Sequence, residues 1–422
     1  MLKSLTTEGV GPARRFHMDL APRLNLVTGD NGLGKTFLLD VAWWLCAHDW
    51  PDQPALPNPA FSGQTKPILT ATIEQPVEEG AKIEYSFYRE MNAWEAYDDF
   101  SMNIPGIILY ARVDGGLSFV DKVRVYVKFA QDFRFSVPAF HLSKTEVWTG
   151  RRDDVGTTVC RGLIVDWLDW QSTRDPAFEA FSKVLNALSP PGEPIRIAEK
   201  PVRLPGPSVD RIPALEMPYG IVPITLASAA MKRIIALAYL IVWMWTEHKA
   251  AAEANGQKRQ KQIILVLDEI EAHLHPRWQR SILPALLDVA RHLDGEVAVQ
   301  FIVSTHSPLV LASAEPVFDA DKDKLFHLRP VDGKPVLDEV PWLTRGSAGT
   351  WLRSEIFGLE TDRSLPAEEA IRRAEAMMEA PPAADDPEIP KLQDELAGLL
   401  PGTDPFWAQW HRFLFVLNRS RP

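Results

Sequence analysis

The sequence predicts an α/β fold: a mixed sheet built around a phosphate-binding loop, with a β-rich insertion, a helical lobe and a helical C-terminal segment. Three observations predict it. Residues 29–36 read GDNGLGKT, a complete G-x-x-x-x-G-K-[ST] pattern. The apolar run Leu24–Thr28 precedes it and the helix-like Phe37–Ala47 follows it, so strand, loop and helix stand in register. Two further apolar runs, Ile263–Leu267 and Ala298–Ser304, have the composition of parallel strands buried on both faces.

The elements follow in chain order. Residues 1–28 read as one or two strands leading into the loop. Ile68–Ile73 and Lys82–Arg89 carry alternating apolar residues, and Gly106–Arg112 is a short apolar strand, so 66–130 reads as β-like. Residues 131–160 read as irregular. GLIVDWLDW and PAFEAFSKVLNAL make 161–190 helical, ending at SPPGEP. Residues 196–222, rich in Pro and Gly, read as loop with short strands. A long apolar helix is expected over 227–250, and another over Arg277–Leu293. Leu325–Arg329 and Val336–Val340 flank DGK as a hairpin. Beyond 362, helices are expected at about 366–380, 387–400 and 404–416.

Bulk properties narrow the function classes. A chain of 422 residues exceeds what one core usually holds, so two or three lobes are expected. The net charge of −11 argues against a broadly basic nucleic-acid surface, without excluding a local groove. Cys46 and Cys160, both in apolar sequence, fit reduced thiols. MLKSLTTEGV lacks the apolar core of a signal peptide, and the apolar run Ile234–Trp245 is too short to span a bilayer. A soluble, cytoplasmic protein with no membrane partner is expected.

The loop carries the clearest chemistry. Gly29, Gly32 and Gly34 let the backbone curl, so that N–H groups point at phosphate oxygens. Asp30, Asn31 and Leu33 complete the cradle, and the following helix adds partial positive charge. Lys35 is placed to reach the β- and γ-phosphates, and the Thr36 hydroxyl to ligate Mg²⁺. These observations imply binding of a nucleoside triphosphate. Asp268-Glu269 directly after an apolar strand is a Walker B arrangement: Asp268 for Mg²⁺, Glu269 as general base toward an attacking water. Thr305-His306 ends another buried strand, where an open α/β sheet builds its site, and His306 could bond the γ-phosphate and the water. His273 and His275, at i and i+2, lack the i, i+4 spacing of helical zinc ligands.

Phosphate loop, DEIEAHLHPRWQ and STHSPLVL, in that order, resemble the ABC-type ATPase heads of the RecF, SMC and OLD (overcoming lysogenisation defect) group, including stand-alone AAA-family members of bacterial defence systems. The resemblance covers about 1–345. It implies a P-loop NTPase of ABC-ATPase type, with a core lobe at 1–65 and 260–345, a β-rich insertion at 66–150, a helical lobe at 151–259, and a helical tail at 346–422. It implies ATP and Mg²⁺ as ligands, His306 as switch histidine and Glu271–Pro276 as D-loop. Ala227–Ala238 aligns with the family signature, so Ser228 would meet the γ-phosphate held by a second subunit. Ala230 replaces a signature glycine, which weakens that role. Gln171 is a weak candidate for the Q-loop glutamine.

Two ATP molecules sandwiched in a homodimer, or a higher homo-oligomer, would then form a switch opened by slow hydrolysis at Glu269. The gap 37–226 is too short for an SMC coiled coil. Only 116 residues follow His306, and FDADKDKLF there reads as a solvated loop rather than a nuclease metal site. The expected role is control of a separately encoded effector, such as a nuclease, in phage defence. The alternatives are a RecF-like DNA-repair ATPase and a nucleotide-sensing module with little turnover. The tail reads as a cap on the core or as a docking surface.

Overall fold

Helix Lys35–Ala47 is apolar apart from Lys35, Thr36 and Asp40, and therefore has to be covered over most of its surface. A computed structural model shows what covers it, describing residues 1–422 except 62, 64, 75–80, 97–105, 125–138, 208, 293–296 and 420–422. Trp43, Trp44 and Leu39 share one core with residues of two sheets. The outer, antiparallel sheet runs Arg15–Asp19, Leu2–Glu8, Ile68–Ile73, Ala81–Tyr88, Ala93–Ala96. The larger sheet has five parallel strands at its centre, in the order Asp323–Val331, Leu24–Gly29, Ala298–Ser304, Gln262–Leu267, Ile107–Ala111. Antiparallel strands flank both sides: Lys334–Val340 at one, Leu117–Asp121 and Phe140–Leu142 at the other. The α/β class expected from the sequence holds.

The partition of the strands differs from the sequence expectation. Residues 66–150 do not form one insertion. Ile68–Ile73 and Ala81–Tyr88 join the N-terminal strands, whereas Ile107–Ala111 lies in the central sheet beside Gln262–Leu267, with Leu109 opposite Leu265. Its near-complete burial explains its unbroken apolar sequence. Within the segment expected to be irregular, helix Lys144–Thr149 starts from a capping box of Ser143 and Glu146; residues 131–138 of that segment lie outside the described residues. The helix expected over Arg277–Leu293 is broken into Pro276–Gln279 and Ile282–His292; Leu293 lies outside the described residues.

Helix Ala229–Ala254 is long and apolar enough to cross a membrane by length and composition. Twelve of its side chains, Ile234 and Trp243 among them, are instead buried within the protein. There Tyr239 donates to Asp166 at 2.8 Å, and Arg161 approaches the same carboxylate at 3.5 Å. Burial pushes the Asp166 carboxyl up to about 6, against the opposing pull of Tyr239 and Arg161. A raised carboxyl favours the protonated fold. Its contribution is therefore intact below the unfolded value near 4, shrinks as pH climbs from about 4 to 6, and is constant above. Asp166→Asn should keep the Tyr239 bond and be more stable than wild type at pH 7–8, by up to about 3 kcal/mol. The gap should close below about pH 4; thermal melts across pH check both ends.

The chain divides into two compact units, Met1–Ala348 and Gly349–Pro422. In the second, helices Leu365–Glu379, Glu388–Leu399 and Phe406–Arg419 bury Ile371, Leu392, Leu396 and Trp410 together. Arg363 clamps Asp404 with two bonds, at 3.0 and 2.8 Å.

Candidate functional site

Parallel strands in register bring four segment ends to one edge of the sheet. Val27 pairs with Ser304, and Leu267 with both Val303 and Ala111, so the phosphate loop, Asp268-Glu269 and Thr305-His306 emerge side by side. Gly29 has a φ of 137°, and a Cβ there would sit 2.0 Å from the Leu328 carbonyl oxygen. Only glycine fits that crossing. Gly32, at φ 77°, faces open space at the apex of the loop, where a phosphate could enter.

The loop and the Walker B strand are joined directly. The Thr36 hydroxyl donates to Asp268 Oδ2 at 2.9 Å, and the Ser304 hydroxyl to Asp268 Oδ1 at 2.6 Å. Asp268 is itself buried. Two hard oxygen groups beside a phosphate cradle suit Mg²⁺, which takes one or two protein oxygens and fills its octahedron with phosphate and water. Lys35 is buried and donates to Gly29 O at 2.8 Å and Asp30 O at 2.7 Å. Burial pushes its ammonium below the usual lysine range, while Glu269, Asp268 and Asp30 pull the other way.

Glu269 is fixed by its backbone and freer at its carboxylate. Its N–H donates to Ser304 Oγ at 2.7 Å. Its carbonyl, and that of Asp268, accept from Arg233 at 2.9 and 3.0 Å. Its φ of 45° is left-handed, a conformation that costs a non-glycine residue energy and is held by those contacts. The carboxylate lies 3.5 Å from His306 Nε2. Glu271 anchors the histidine: it accepts from the Thr305 hydroxyl at 2.8 Å and from the His306 N–H.

Gly29 through Thr36, Asp268, Glu269 and His306 thus share one sheet edge. Ser228 is not at these strand ends but at the start of a helix. It caps helix Ala229–Ala254, accepting from Met231 N at 3.2 Å, and is exposed. Ala230 follows in the first helical turn. Gln171 is elsewhere, its amide donating to Ala198 O and Glu199 O. Asp323, read in the sequence as part of a solvated loop, is buried and bound by Arg23 because it begins a strand of the central sheet.

The roles of Arg233 and Ser304 escaped the sequence reading, and Glu271 entered it only as the start of the D-loop, not as the anchor of His306. Each left a trace: a cation in an apolar helix, an acid two residues after Glu269, a hydroxyl closing an apolar strand. Glu271→Ala should leave the Thr305 hydroxyl and the His306 N–H without their acceptor, costing about 1–3 kcal/mol of stability. It should also loosen His306. Denaturant melts together with a turnover assay would show whether both fall.

Residues 218–312 match the family described as "AAA domain, putative AbiEii toxin, Type IV TA system". "Retron Ec83 probable ATPase" of Escherichia coli is 32% identical over 94 residues, 22% of this chain and 14% of that protein. "Retron Vc95 probable ATPase" of Vibrio cholerae is 46% identical over 50 residues, 12% and 9% of the two chains. "Septu protein PtuA" of Bacillus mycoides is 37% identical over 84 residues, 20% and 10%. The matches therefore span only 9–14% of those relatives. Among solved structures, the SMC head domain from Thermotoga maritima covers 81% of this chain and 99% of its own, at 16% identity and a TM-score of 0.40. The recombination mediator RecF with bound ATPrS covers 81% and 98%, at 14% and 0.39. The resemblance to defence-associated ATPases read from the sequence holds.

Proposed function

We propose that this protein is an ATP-driven switch: it binds ATP with Mg²⁺, hydrolyses it slowly, and pairs with a second copy around the nucleotide. The bond from Thr36 to Asp268 carries the reading, because it joins residues 232 positions apart at the place where phosphate and metal would meet. The family match starts after the phosphate loop, so this contact links the matched segment to the loop that precedes it.

In this reading the backbone of 29–34 and Lys35 bind the phosphates, and Thr36 and Asp268 hold Mg²⁺. The ion neutralises charge on the phosphates when bound. Glu269 takes a proton from water, and His306 bonds the γ-phosphate. Ser228 completes the other subunit's site. Its exposure supports that role, as do Tyr219, Ile221 and Leu226 just before it, exposed at 78%, 52% and 65%. The output is control of a separately encoded effector in phage defence, exercised in the cytoplasm, as the retron and Septu relatives suggest.

Size-exclusion chromatography of wild type and Glu269→Gln, with and without ATP, tests the switch. A dimer that forms with ATP and persists in Glu269→Gln is expected. A monomer under every condition would refute pairing. Co-purification of the native complex tests the effector: no second protein, and unchanged phage sensitivity on deletion, would count against defence.

A further inference from the structure

A cavity of about 280 Å³ opens beside the switch machinery. That is close to the roughly 300 Å³ at which small-molecule pockets begin. None of residues 29–36 lines it, so an occupant need not displace ATP. Its walls come from helix Ala229–Ala254, the turn 111–116 and helix Lys144–Thr149. Ala236, Leu237, Leu240 and the half-buried Trp148 give it an apolar body.

The polar part of the lining is mostly cationic. Lys144, Lys232 and Arg233 reach it. Arg112 also lines it, but pairs with Asp114, the carboxylate in the lining, at 3.5 Å. Among the described residues no ion pair engages Lys144 or Lys232. The first turn of helix Ala229–Ala254 adds the positive end of its dipole. An apolar body rimmed by unspent positive charge selects an anion carrying a flat or greasy group, which Trp148 can cover.

The cavity also touches the Walker B segment on both sides of Asp268-Glu269, through Leu267 and Ile270. Arg233, on its wall, holds the carbonyls of Asp268 and Glu269. Glu269 is in a left-handed conformation that depends on such contacts, so a shift of Arg233 or Ile270 would reach it.

We propose that this cavity binds a small anion with an aromatic or apolar body, and that an occupant adjusts turnover through Arg233, which positions Glu269. The regulatory half rests on the ATPase reading above; the binding half does not. The probe is 8-anilinonaphthalene-1-sulfonate, an aromatic sulfonate, titrated calorimetrically into the intact chain. One saturable site per chain is expected, retained at saturating ATP. Lys144→Glu should weaken it about tenfold or more by reversing a lining charge. Ala236→Trp should abolish it by filling the space, with circular dichroism confirming both variants folded.

Equal binding by wild type and both variants, or displacement by ATP, would overturn the site. Loss in Ala236→Trp with unchanged binding in Lys144→Glu would overturn the anionic class. Bound probe should alter wild-type ATP turnover and leave that of Ala236→Trp unaffected; a wild-type rate indifferent to bound probe overturns the coupling. Absence of any turnover without probe would instead refute the ATPase reading, and the ATP-free titration would still stand.

Discussion

Lys35→Ala should abolish measurable ATP binding, raising Kd by about 100-fold or more. The argument starts from burial. The ammonium sits inside the loop, bonded to Gly29 O and Asp30 O, and is pushed below its usual range by desolvation. A charge held there has lost water and recovers the loss through oxygen contacts. A triphosphate offers better contacts than two neutral carbonyls, and charge-assisted bonds contribute about 1.5–3 kcal/mol each. Two such bonds lost give the hundredfold. Alanine also strands the two carbonyls, so the loop itself should become less ordered. Titration with a fluorescent ATP analogue checks the affinity, and a Kd within about threefold of wild type would sink the assignment of Lys35.

The legible and illegible parts of this site divide along a physical line. GDNGLGKT, Asp268-Glu269 and Thr305-His306 could be read because each chemical residue closes a short apolar run, and strand ends are where an α/β sheet presents its chemistry. Ser304 makes two bonds at the centre of the site, yet in sequence it is one small polar residue at a strand end, where serine is unremarked. Arg233 follows Lys232 near the start of an apolar helix, and such a pair of cations reads as the solvent side of the helix end. In the fold Arg233 faces three carbonyls, those of Val113, Asp268 and Glu269. The same limit explains the central place of Ile107–Ala111. Its local sequence fixes that it is a strand, but its neighbour, Gln262–Leu267, lies more than 150 residues away, and pairing over that distance leaves no local mark. The capping box at Ser143 and Glu146 is a local mark of the short helix Lys144–Thr149, and the reading of 131–160 as irregular passed over it.

Glu269→Gln should lower ATP turnover by about 10²- to 10⁴-fold, the usual contribution of a general base. Affinity for ATP should stay within about threefold, since Glu269 is not among the residues that cradle phosphate. The substitution is informative because so much of Glu269 is held independently of its carboxylate. Ser304 fixes its N–H, Arg233 its carbonyl, and neither contact changes when an oxygen becomes an amide. Glutamine has the same shape, so the left-handed backbone at this position should persist; only the proton acceptor is removed. His306, 3.5 Å away, would keep its place through Glu271. Phosphate release at saturating ATP measures the rate. Equal rates in wild type and variant would remove Glu269 from the chemistry. No rate in either would favour a nucleotide sensor, in which the left-handed turn at Glu269 serves only to couple the bound state to the partner surface around Ser228. The Ala230 methyl group makes that contrast sharp: if it blocks the second copy's phosphate, restoring glycine with Ala230→Gly should raise turnover in the wild-type background and leave Glu269→Gln slow.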